Sequence, residues 1–238
     1  MKYYKKYLGY TFILIILTTL NFNIAIAENK ENGYSQITVM PVDEGYKDKS
    51  FHEFRTKLLK CIERRDKEFL IKIVDKDIKY SFGDDDSGIK RFCEEWGLNK
   101  NSDKSEIWKE LRKVLVLGGR FDEEGAFIAP YVFTDFPDGE EFDSYTDYIV
   151  IDKNVKIYEK PYFESNFKSK IAGEVSYEVI KTIATYEREL PDSWEEVMTA
   201  KGIKGFIERK NIRNATDYRA FFKKINGNWK MTIFIAGD

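Results

Sequence analysis

Tyr218-Arg219-Ala220-Phe221-Phe222-Lys223-Lys224-Ile225-Asn226-Gly227-Asn228-Trp229-Lys230-Met231-Thr232-Ile233-Phe234-Ile235 reads as two apolar strands around a turn. Tyr218, Ala220 and Phe222 alternate with polar or outward positions, the period of a strand with one buried face. Asn226-Gly227 tolerates positive φ at both positions, so it marks a tight hairpin turn. Trp229 to Ile235 is then the returning strand. A long apolar hairpin left alone at a chain end would be barely stable. It is therefore expected to dock onto the first part of the chain.

Working back from the hairpin, residues 146–214 read as short strands separated by turns. Expected strands are Tyr148 to Ile151, Val155 to Tyr158, Ile171 to Val175 and Val179 to Ala184. Glu195 to Met198 and Gly205 to Ile207 complete the set. Such spacing suits a small barrel.

Residues 28–145 have the helical period instead. Phe51, Phe54, Leu58 and Ile62 follow a Ser50/Glu53 capping-box pattern, in which each side chain satisfies a free amide of the first turn. Phe69, Leu70, Ile73 and Val74 form a second short apolar face. Ile78 to Phe82 alternates as a strand would, ending at Gly83. Ser87 and Ser105 can each cap a further helix, the second running to Gly118-Gly119. Ala126 to Phe133 reads as a strand interrupted at Pro130. The expected class is thus α+β, with a helical and sheet domain split in sequence (28–145 and 215–238) and a small all-β barrel at 146–214 inserted into it. A cystatin-like or cone-shaped fold is one candidate for the split domain.

The first 27 residues have the three parts of a signal peptide. Lys2, Lys5 and Lys6 form a positive start, Tyr7 to Leu20 an apolar run, and Ala25-Ile26-Ala27 a small-residue site before Glu28. The reading is an exported protein, periplasmic or secreted, with no stable membrane span after cleavage. The whole chain carries a net charge of −2, and about −5 without those three lysines. That balance excludes a nucleic-acid footprint.

Val155-Lys156-Ile157-Tyr158-Glu159-Lys160-Pro161 resembles the opening V-x-V-R-x-x-P run of a bacterial SH3-like (SH3b) domain. Ile171-Ala172-Gly173, Trp194-Glu195-Glu196-Val197 and Gly202-Ile203-Lys204-Gly205-Phe206-Ile207 follow in the family's order. They stand for its small-residue turn, its W-x-x-V strand and its G-x-x-G-W-V strand. Tyr158 replaces the usual arginine and Phe206 the usual tryptophan. The resemblance covers about residues 146–214 and implies a non-catalytic binding module. Its ligand would be a peptide, a cell-wall glycopeptide or an envelope protein. The flanking parts look similar to uncharacterised exported proteins that carry such a barrel. Tyr158, Tyr162, Tyr186 and Trp194, with Phe163 and Tyr177, are the candidate ligand-binding aromatics; their alternative is a filled core.

Other candidates weigh less. Asp84-Asp85-Asp86 lacks the register of a calcium loop and reads as a turn. His52 is the only histidine and has no evident partner. Glu123-Glu124, Glu140-Glu141 and Glu195-Glu196 read as surface acids. No catalytic set, metal site or cofactor is implied. Cys61 and Cys93 are candidates for a disulfide, with two free buried thiols as the open alternative. An enzyme with a pocket among Tyr80, Trp96, Phe121 and Tyr131, or a purely structural protein, is the rival reading.

Overall fold

A computed structural model describes residues 33–83, 88–161, 169–183 and 192–237. It is a mixed α+β structure with two sheets. The signal-peptide reading, Asp84 to Ser87, Tyr162, Phe163 and Tyr186 lie outside the described residues.

The helices come first: α1 Lys49–Arg64, α2 Lys67–Ile73, α3 Ile89–Glu95, α4 Leu98–Asn101 and α5 Ile107–Val116. They cover a five-stranded sheet. Its strands are β1 Val74–Lys79, β2 Arg120–Phe121, β3 Phe127–Ala129, β11 Arg219–Ile225 and β12 Asn228–Ile235, in the order β1-β12-β11-β3-β2. β12 lies parallel to β1 and antiparallel to β11, and β11 pairs antiparallel with β3. The C-terminal hairpin therefore supplies the middle of a sheet whose other strands come from residues 74–129. Asn226 and Gly227 have φ of 49° and 77°, as a tight turn with both central residues left-handed requires.

Phe51 lies at the centre of the first core. Its ring centroid is 4.2 Å from that of Phe127 and 5.0 Å from that of Trp229, which joins α1, β3 and β12. Trp229 Nε1 also donates to Ser50 Oγ at 2.9 Å. That bond explains a shifted cap. Asp48, not a Ser50/Glu53 box, caps α1, its Oδ1 accepting from Phe51 N at 2.9 Å. The Ser50 hydroxyl is already donating to Asp48 and accepting from the indole.

The named strands of the second sheet come from residues 148–214, and Thr38 adds a bridge to Glu178. Its strands are β4 Tyr148–Val150, β5 Val155–Tyr158, β6 Ile171–Val175, β7 Val179–Thr182, β8 Trp194–Met198, β9 Lys204–Glu208 and β10 Ile212–Asn214. Their order is β10-β4-β7-β8-β9-β5-β6. The expected closed barrel is not formed: β10 and β6 are the two edges of an open sheet. Val150, Val155, Ile157, Ile180, Val197 and Ile207 fill the core on one of its faces. A third cluster, with Tyr34, Tyr131, Phe142, Ile149 and Val179, lies between this sheet and the chain that precedes it.

Two further expectations need correcting, and one open alternative is resolved. β1 starts at Val74, directly after α2, rather than at Ile78, because its partner β12 lies far away in sequence. Pro130 ends β3, since it has no amide to extend a ladder, and residues 131–134 form the short helix α6 Tyr131–Thr134 instead of strand. Cys61 and Cys93 are both buried free thiols, not a disulfide. Cys61 Sγ donates to the Asp66 carbonyl at 3.2 Å, and burial pushes its pKa up to about 11.

Candidate functional site

Strand parity sorts the aromatic candidates. In β8, Glu195 and Val197 face the core side, so Trp194 and Glu196 point to the other face. In β9, Ile207 faces the core, so Phe206 and Glu208 point away. Ile157 is a core residue of β5, and Tyr158 follows it on the outer face. Tyr158 pairs across the sheet with Phe206 on one side and Ile171 on the other. Ile171, Tyr158 and Phe206 thus form one row over β6, β5 and β9.

Trp194 closes the row. Its ring centroid lies 5.7 Å from that of Tyr158, at 83° between planes, an edge-to-face contact. Exposure falls steeply along the row. Ile171 is 56% exposed and Tyr158 half-buried, whereas Phe206 and Trp194 are 4% and 5% exposed. Trp194 is therefore not the partly open ring that its place after a turn suggests. The accessible ring of the described row is Tyr158. Gly205 lets β5 and β9 approach, since a Cβ there would run into the Tyr158 carbonyl and meet Ile157 Cγ2 at 2.8 Å.

The other candidates lie elsewhere. Tyr177 has φ of 55° and accepts from Val39 N at 2.6 Å through its carbonyl, beside the third cluster rather than the row. Tyr80, Trp96 and Phe121 pack against the first core, whereas Tyr131 belongs to the third cluster. Tyr80, Phe92, Trp96, Tyr218 and Phe234 instead form a chain of ring contacts. Trp96 Nε1 and the Tyr131 hydroxyl are buried with no hydrogen-bond partner among the described residues. Burial raises the pKa of the Tyr131 hydroxyl. His52 is exposed on α1. Among the described residues there is no group of three or more His, Cys, Asp or Glu side chains able to hold a metal ion.

Sequence reading missed the buried charged residues. Glu195 is buried where a surface acid was expected: Oε1 accepts from Thr182 Oγ1 at 2.8 Å, and Oε2 lies 2.5 Å from Arg209 Nη2. Its place in phase with Val197 was the available signal. Asp147, Arg213, Asn214 and Arg219 are also buried. Asn214 Nδ2 donates to the Asp147 carbonyl at 3.1 Å, and Arg213 Nη2 donates to the Tyr218 carbonyl at 2.6 Å. The first bond ties β10 to the start of β4, and the second ties β10 to the residue that opens the hairpin. Burial lowers the pKa of Arg213, opposed by the charges of Asp217 and Glu110.

The row offers a stacking ring, an apolar strip and a strand edge. No family model, curated protein or solved structure matches this chain.

Proposed function

We propose that this protein is an exported, non-catalytic binding protein of the cell envelope. In this reading residues 146–214 form an SH3-like unit inserted into an α+β domain built from 28–145 and 215–238. Its ligand is an extended peptide, a wall glycopeptide or a segment of an envelope protein. The observation that carries the reading is the Ile171–Tyr158–Phe206 row with Trp194, placed on the sheet face opposite the core. Phe206 and Trp194 are buried on that face outside the Val150–Ile207 cluster, and Tyr158 beside them retains accessible surface. A half-buried tyrosine held edge-on by a tryptophan is pre-oriented, so stacking a ligand on it costs little side-chain entropy. Edge strand β6 adds main-chain groups beside the row, the usual way a sheet takes up an extended chain.

Calorimetric titration with soluble glycopeptides released from cell wall, and with a proline-rich decapeptide, tests this. At least one probe should bind saturably. Tyr158→Ala should weaken that binding about tenfold, roughly 1.4 kcal/mol. Tyr145→Ala, on an exposed residue outside the row, should leave it unchanged. Absence of binding by both probes, or equal binding by a folded Tyr158→Ala protein, contradicts the proposal.

A further inference from the structure

A second surface lies on the other sheet's helical layer. α1 and α5 pack side by side and leave a groove of about 460 Å³ between the C-terminal end of α1 and the length of α5. Its floor is apolar. Ile62 and Trp108 are buried there, and Val116 is 53% exposed at the end of the groove. Trp108, Arg112 and Val116 are spaced four apart, so they share one stripe of α5.

The rim is basic. Arg65, Lys109, Arg112 and Lys113 line it against the single carboxylate Glu63. The whole chain is net negative, so this concentration of cations runs against the average. Lys109 and Lys113 reach Glu106 and Glu110 one turn back on their own helix, at 3.4 and 2.8 Å. Exposed pairs of this kind hold weakly and exchange readily for another carboxylate. Arg65 donates through Nη1 to the Asp103 carbonyl and keeps further donors. Arg112 has no ion pair or hydrogen bond among the described residues.

We propose that this groove docks an acidic peptide segment of a partner protein, with one apolar side chain of that segment seated against Val116, Ile62 and Trp108. Charge complementarity selects acids along the rim, and the apolar floor selects a single anchor between them. Shape decides against a bilayer. A flat anionic surface meets only the rim of a concavity, and membrane-bound helices bury several protruding apolar residues. Here Val116 is the one exposed apolar residue of the stripe. The groove does not involve the Tyr158 row, so its occupant is independent of the ligand proposed there.

The test is fluorescence anisotropy with the purified protein and a labelled probe of glutamates around one leucine. A matching probe with serine for leucine, and vesicles of phosphatidylglycerol and phosphatidylcholine, complete the set. The leucine probe should bind saturably, and more weakly as salt rises, because exposed charges are screened beyond about 8 Å at physiological ionic strength. Arg112→Glu combined with Lys113→Glu should weaken it about tenfold. Val116→Ser should weaken the leucine probe and leave the serine probe unchanged. All replaced side chains are exposed, so melting temperatures should match. No saturable binding, equal binding by the double variant, or vesicle co-sedimentation without probe binding would overturn the proposal.

Discussion

Asp147 shows how much of this molecule rests on single buried polar groups. Its Oδ2 accepts from Asp143 N at 3.0 Å and lies 3.6 Å from Lys181 Nζ. Lys181 in turn lies over the Tyr34 and Phe142 rings, each at 5.3 Å, and donates to the Glu141 carbonyl. Burial nevertheless outweighs these partners and raises the Asp147 pKa. The folded state thus binds this proton more tightly than the unfolded chain does. Stability from this group is greatest below the unfolded carboxylate value, about 3.9, and is lost as pH rises through the raised folded value. Asp147→Asn keeps an acceptor for Asp143 N and removes the titration. Its melting temperature should therefore gain on that of the parent as pH rises from about 3 to 7; a loss over that range would refute the burial account. The sequence did not disclose Asp147, because a lone aspartate before a strand looks like any turn residue. Trp194 misled in the opposite direction: its place after Asp192-Ser193 suggests exposure, and only cross-strand packing buries it.

At the scale of elements, β5 and β6 match their expected bounds, because each has a clear pattern and flanking turn residues. The Asn226-Gly227 turn was legible for the same reason. Elements defined by distant partners were not. β2 is two residues and β10 three, too short for a period, and they exist because β3 and β4 pair with them. The α1 cap moved to Asp48 because Trp229, far along the chain, claims the Ser50 hydroxyl. Gly205 is the element-scale test of the candidate site. Gly205→Ala pushes a methyl group into the Tyr158 carbonyl, separating β5 from β9. Overpacking of this kind costs about 1–3 kcal/mol. Denaturant melts should show that loss, together with weaker binding of the probe that engages Tyr158; an unchanged midpoint would mean that the close approach is not needed.

For the whole molecule, strands from residues 74–129 and from 219–235 meet in one sheet. Ala220, Phe222, Trp229, Met231 and Phe234 of the hairpin are buried in the first core together with Phe51, Leu58 and Phe127. Ending the chain after Asn214 removes two central strands and exposes that core. The truncated protein should lose cooperative melting of its helices by circular dichroism, since each large core side chain contributes about 3–5 kcal/mol. Retention of a cooperative helical transition would show that the first region folds without the hairpin. The non-local pairing could be inferred from the sequence because an apolar hairpin cannot stay exposed. The open form of the second sheet could not, since strand spacing alone does not report closure. The central claim is that the outer row of that sheet binds ligand. Nitrogen-15 chemical-shift mapping with wall glycopeptides and the proline-rich decapeptide tests it most directly. Shifts should concentrate at Tyr158, Ile171, Trp194 and Phe206 and their strand neighbours, with the α1–α5 groove unmoved. Shifts confined to other surfaces, or none with either probe, would contradict it.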